Sequence, residues 1–155
     1  MNKERIDKKI IITGRDVTKL LSYKINKNQH DSEVIIDTFV KGLIVNLKKY
    51  GSVSLKNFGI FYIKKRPKRT FILQKEEIIP ARYIIKFEEN KNISTTFELQ
   101  DKYNDTILDI IIETLNSSNF NVDKVVLRYF GRFYISNGEI KFNASHSLKE
   151  IFNNS

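Results

Sequence analysis

The sequence contains no cysteine, which excludes disulfides, thiolate metal sites and a cysteine nucleophile. Histidine is almost absent. His30 falls near a helix start and His146 in a polar loop, neither with a partner at metal-ligand spacing, so both read as surface residues. No P-loop, H-E-x-x-H or G-x-S-x-G occurs. The scattered carboxylates, Glu88-Glu89 included, form no paired arrangement, so neither an enzyme nor a cofactor is expected. Long apolar runs are missing as well. The opening MNKERIDKKIIITGR has only Ile10 to Ile12 in succession, too short for a signal segment or a membrane span, and a cytoplasmic protein is expected. The sequons at Asn92, Asn104, Asn116 and Asn143 then reflect only an Asn-rich composition.

What is present is a core and an uneven charge. Hydrophobic residues make up 41% of 155, enough to fold one domain, or one domain with a small appendage. The formal net charge is +9. Residues 1–100 carry 21 Lys+Arg against 11 Asp+Glu, whereas 101–155 carry 6 against 7. A polyanionic partner, if there is one, therefore belongs to the first part.

Along the chain, residues 1–12 read as an extended arm or a short strand. Thr13 with Asp16 forms a capping-box-like start for a helix over about 14–26, with Val17, Leu20, Leu21 and Ile25 on one face. Asn28 caps a longer helix over about 29–49. Its stripe of Val34, Ile35, Phe39, Leu43, Ile44 and Leu47 is wide enough to predict burial on more than one side, and Gly51 ends it. Strands follow around Val53–Leu55 and Phe61–Ile63, with Gly59 predicted in a turn or bulge. Five of the six residues Lys64 to Arg69 are then cationic. Thr70–Leu73 and Ile78–Ala81 frame an excursion that returns through Tyr83, Ile85 and Phe87. Asn90 to Phe97 is predicted to be a short closing helix.

Much of this order recurs. Val125-Val126-Leu127-Arg128-Tyr129-Phe130-Gly131-Arg132-Phe133-Tyr134-Ile135 matches Val53-Ser54-Leu55-Lys56-Asn57-Phe58-Gly59-Ile60-Phe61-Tyr62-Ile63 through L-x-x-F-G-x-F-Y-I, and the helical pattern from Asp105 matches that from Asp37. Where the first copy has its basic excursion, the second has Asn137-Gly138, a tight hairpin signal. Ser147 to Phe152 can close with a helix. Phe58, Phe61, Phe130 and Phe133 alternate with apolar neighbours and are assigned to the core rather than to base stacking.

Asn57-Phe58-Gly59-Ile60-Phe61, Arg66-Pro67-Lys68-Arg69, Ile79-Pro80-Ala81 and Ile85-Lys86-Phe87 stand in the order and spacing of the HU/integration host factor family of bacterial DNA-architectural proteins, which residues 13–97 resemble. The resemblance implies an α+β, HU-like fold: a two-helix base, a three-stranded antiparallel sheet with a β-ribbon arm, and a short C-terminal helix. A partial HU-like repeat lacking the arm would follow. The expected division is 1–100 for the DNA-binding unit and 101–155 for the degenerate repeat. The implied function is sequence-tolerant binding of double-stranded DNA, with bending or packaging in the nucleoid. HU proteins are themselves a known instance of minor-groove binding by cations together with an apolar wedge. Carried onto this chain, the cations are Lys64, Lys65, Arg66, Lys68, Arg69, Lys75, Arg82 and Lys86. The family's wedge is a proline at the arm tip. Here Pro67 and Pro80 lie in the two stems, so Phe71 or Ile72 would take that role. No helix carries base-reading side chains, so shape and deformability of the duplex would dominate recognition.

Two alternatives stay open. The family works as a dimer, and a homodimer is expected here because the second copy lacks the first helix. The other option is an intramolecular pseudo-dimer with a single arm. In function, the rival reading is an HU-fold interaction or scaffold module without DNA binding, to which Glu76 and Glu77 near the tip and the near-neutral second copy point.

Overall fold

Each helix of the base starts and stops on a capping residue. A computed structural model describes residues 9–67, 69–72, 76–79, 82–89, 102–117 and 120–153. Helix α1 spans Gly14–Ile25. The Thr13 hydroxyl accepts from the Asp16 N–H at 3.2 Å, and the Asp16 carboxylate accepts from the Thr13 N–H at 3.0 Å, which completes the expected capping box. Helix α2, Gln29–Tyr50, starts where the Asn28 side chain accepts from the Asp31 N–H at 2.8 Å. It ends at Gly51, in the left-handed region at φ 79°, whose N–H donates to the Leu47 carbonyl. The burial of α2 is narrower than its sequence predicts. Ser32, Ile36, Phe39, Val40, Leu43 and Leu47 form one buried stripe, while Val34 and Val45 stay exposed at 49% and 55%. Ile35 and Ile44 flank that stripe and are only partly buried against the core.

The chain forms two separate antiparallel frames. Strands β2 (Ser52–Leu55), β3 (Gly59–Arg66) and β6 (Arg82–Glu89) make a sheet in the order β2-β3-β6. Between β3 and β6, strands β4 (Arg69–Ile72) and β5 (Glu76–Ile79) pair as a two-stranded ribbon. Helix α3 (Asn104–Leu115) leads into β7 (Val122–Leu127), β8 (Gly131–Ser136) and β9 (Glu139–Ala144), and α4 (His146–Asn153) closes the chain. Strand β1, Ile10–Ile12, adds to this second sheet in parallel beside β7, giving the order β1-β7-β8-β9. The architecture is α+β, as expected. The predicted helix at Asn90–Phe97 lies outside the described residues.

Gly59 has a different task from the one its sequence context suggests. It begins β3, and the positive φ of the preceding turn falls on Asn57 at 64°, a residue type that tolerates that region. Gly59 is needed for close approach. A Cβ there would sit 2.5 Å from the Glu88 carbonyl oxygen and 2.6 Å from the Phe87 ring. Gly131 stands in the same situation, 2.4 Å from the Asn143 carbonyl oxygen and 2.5 Å from the Phe142 ring.

Both frames share one hydrophobic core. Val17, Leu21, Phe39, Leu43, Phe58 and Phe61 from the first part join Ile107, Ile111, Val125, Phe130, Phe133 and Leu148 from the second in a single cluster. Phe58, Phe61, Phe130 and Phe133 are no more than 2% exposed, so the assignment of these rings to the core holds. Two exposed ion pairs span the same junction, Lys24–Glu113 at 3.2 Å and Arg128–Glu33 at 3.0 Å. Being exposed, they contribute little.

Candidate nucleic-acid interface

The face of the β3–β6 ladder that points away from the core is set by register. Tyr62 is opposite Lys86, Lys64 opposite Ile84, and Arg66 opposite Arg82. Side chains alternate along a strand, so Tyr62, Lys64, Arg66, Arg82, Ile84 and Lys86 share one face. Phe61, Ile63, Ile85 and Phe87 turn to the other. Lys65 lies on the core-side face, beyond the end of the core and opposite Tyr83.

Lys64, Lys65, Arg66, Arg82 and Lys86 are exposed, and none makes an ion pair among the described residues. The pair Arg66–Arg82 is unusual chemistry for a strand ladder. Like charges directly opposite each other destabilise a sheet, with Cβ atoms about 5 Å apart. An anion bound between the two guanidinium groups would relieve that repulsion.

The ladder continues into the arm without a slip of register. Arg69 is opposite Ile79 and Ile72 opposite Glu76, in step with Arg66 opposite Arg82. Pro67, between β3 and β4, has no N–H to give to a ladder. Of the residues assigned to the arm from sequence, Arg69, Phe71 and Ile72 are placed by backbone pairing alone, and Lys68 and Lys75 lie outside the described residues.

Two acids of β6, Glu88 and Glu89, are engaged. The Tyr62 hydroxyl donates to the Glu88 carboxylate at 2.8 Å. That hydrogen bond, then burial, then the carboxylate's charge, raise the Tyr62 hydroxyl above the ordinary tyrosine value. Glu89 accepts from the Ile140 N–H and so stitches β6 to β9.

A groove of about 550 Å³ opens between β6, β9 and α4. Five cations line it, Arg66, Arg82, Lys86, Arg132 and Lys149, and no acidic side chain does. One wall is held by Asn153. Its amide oxygen accepts from the Tyr83 N–H at 2.7 Å and its amide nitrogen donates to the Tyr83 carbonyl at 3.1 Å, as a neighbouring strand would. Arg132 and Lys149 were not singled out in the sequence, because charge counts place the excess in residues 1–100. The repeat carries a usable signal: Arg132 takes the place of Ile60, two residues before the Tyr that is common to both copies.

Among the described residues, no group of His, Asp and Glu side chains could hold a metal ion, and no helix is long and apolar enough to cross a membrane. His146 is exposed and lies 3.1 Å from Glu150, one turn along α4.

Comparison of the sequence with known proteins identifies one family. The model of the family described as "Bacterial DNA-binding protein" matches residues 12–98. Integration host factor subunit alpha of Bordetella avium is 29% identical over 90 residues, covering 56% of this chain and 78% of that protein. The corresponding subunit of Bordetella pertussis is 28% identical over 90 residues, covering 56% and 80%. Among solved structures, the HU chain of an Anabaena HU–DNA cocrystal structure is similar with a TM-score of 0.45 and 17% identity, over 50% of this chain and 88% of that one.

Proposed function

Since the chain belongs to the bacterial DNA-binding protein family, we propose that it binds double-stranded DNA as an architectural protein with little sequence preference. The observation that carries this reading is the row of exposed cations on one face, which make no ion pair among the described residues. It runs from the inter-sheet groove (Arg132, Lys149, Lys86) through Arg82 and Arg66 toward the arm. A cationic track on a rigid sheet suits a backbone of regularly spaced phosphates and carries no code for bases. The ribbon would follow the minor groove, with Lys68, Arg69 and Lys75 on phosphates. Phe71 or Ile72 would open a base step in place of the family's proline, bending the duplex. Family membership also supports a place among nucleoid-associated proteins.

The test is a salt titration of binding to random-sequence duplex. With about five phosphate contacts, log K should fall against log salt with a slope of magnitude about 4–5. A duplex carrying a nick or a preformed bend should bind more tightly than a straight one, because part of the deformation is already made. No binding at low salt would overturn this reading and leave the scaffold role.

A further inference from the structure

The two aromatic frames are related to each other as two subunits of a dimer are. Within each frame the rings meet in the same way. Phe58–Phe87 and Phe130–Phe142 both stand at 5.2 Å, tilted 44° and 39°. Phe61–Phe87 and Phe133–Phe142 stand at 4.7 and 5.0 Å, tilted 43° and 44°. Between the frames the contacts are reciprocal. Phe58 meets Phe133 edge-on at 5.6 Å, and its counterpart Phe130 meets Phe61 edge-on at 5.2 Å. Phe61 meets Phe142 at 5.1 Å, and Phe133 meets Phe87 at 6.0 Å. Phe61 and Phe133, equivalent to each other, touch across the centre at 6.1 Å. Contact of i with j matched by contact of j with i is the signature of a self-complementary twofold interface. Here it is closed within one chain, and its four central rings, Phe58, Phe61, Phe130 and Phe133, are no more than 2% exposed.

The symmetry breaks in two places. Helix α1 packs on both α2 and α3, and β1 extends the second sheet, so the N-terminal segment is shared between the frames and not repeated. The hairpins also differ in length. Tyr62 reaches Lys86 across 23 intervening residues, and Tyr134 reaches Lys141 across six, turning at Asn137 and Gly138 with φ of 52° and 76°. That turn matches a tight hairpin end and leaves no ribbon on its flank.

We propose that a single copy of this chain is the complete, self-paired unit, and that it engages a duplex one-to-one with an arm on one flank only. The mode of engagement rests on the DNA reading above; the self-pairing does not. Light scattering of the full chain during size exclusion, across a hundredfold concentration range, should give 18.2 kDa throughout. A mass of about twice that overturns the self-pairing. The same measurement on a stoichiometric mixture with a duplex of about 20 base pairs, a length chosen to hold one bent site, should give one chain per duplex. Two chains per duplex overturn the one-armed unit. A free chain of 18.2 kDa with no duplex binding at low salt would instead overturn the DNA reading and its one-armed form, and leave self-pairing standing.

Discussion

Tyr62 and Tyr134 occupy the same place in two hairpins, each directly opposite a lysine, Lys86 and Lys141. One step back along the strand, the core-side residues are identical, Phe61 and Phe133. The outward residues before those differ: Ile60 faces Glu88 where Arg132 faces Asn143. One step beyond the frame the two hairpins part completely, one into a cationic ribbon and the other into a tight turn. The core side is held constant by packing, because each ring touches rings of both frames and each glycine is pressed against a backbone carbonyl. Except at Ile60, which is buried, the outward side is partly or fully open to water and can change charge at small cost. Fold and function are therefore written on opposite faces of the same strands.

The strongest way to break the comparison is to remove one central ring from each frame. Phe61→Ala and Phe133→Ala should each cost about 4 kcal/mol. At 2–4 °C per kcal/mol for a chain of this size, each should lower the melting temperature by about 8–16 °C. Because the rings belong to one core, calorimetry should show a single transition that moves in both variants. If Phe133→Ala melted the second frame alone, with an unmoved transition for the first, the two frames would be separate units.

Charge sharpens the comparison at the next level. Arg66→Ala, Arg82→Ala and Lys86→Ala together should weaken duplex binding about 100-fold, at about 1 kcal/mol per lost phosphate contact. The salt slope should fall by about 3. Arg132→Ala with Lys149→Ala, from the near-neutral second part, should still weaken binding about 30-fold by the same reckoning. An unchanged affinity in that pair would confine the interface to the first frame. Thermal stability should hold in both sets, since these groups are exposed and the first set removes the Arg66–Arg82 repulsion.

How much of this could be read in the sequence depended on whether the signal was local. The capping box at Thr13, the caps at Asn28 and Gly51, the strand periodicity and the F-G-x-F-Y-I repeat are local, and they carried the helices, the sheets and the buried rings. The role of Gly59 is not legible locally, because its constraint is a carbonyl 29 residues away, at Glu88. The wide stripe of α2 predicts burial on more than one side, since spacing shows which residues could be covered and not which ones a neighbour reaches. Arg132 and Lys149 escaped for a related reason: the groove exists only once β9 and α4 lie beside β6. Clustered cations on one strand are visible in a sequence, whereas cations gathered from two frames are not.

The smallest effect tests an outward position at which the frames differ by an acid. Glu88 holds the hydroxyl proton of Tyr62, and Asn143 stands in its place beside Tyr134. The hydroxyl of Tyr62 titrates above the ordinary tyrosine value, chiefly because of that hydrogen bond. The folded state thus keeps the proton more tightly than the unfolded chain does. The linked stability is fully present below the unfolded value of about 10 and is lost as pH rises through the higher folded value. Tyr62→Phe removes the hydrogen bond, worth about 1 kcal/mol or less at an exposed site. Urea unfolding should accordingly separate wild type from variant at about pH 8, and the gap should narrow as pH rises past the ordinary tyrosine value of about 10. A gap that persisted undiminished at high pH would mean the ring's packing, and not its proton, accounts for the difference. Glu88→Gln leaves an acceptor for the hydroxyl but removes a negative charge beside Lys86, so it should raise duplex affinity slightly, about twofold. A loss of affinity would show that this carboxylate positions Tyr62 for the duplex instead of merely opposing it.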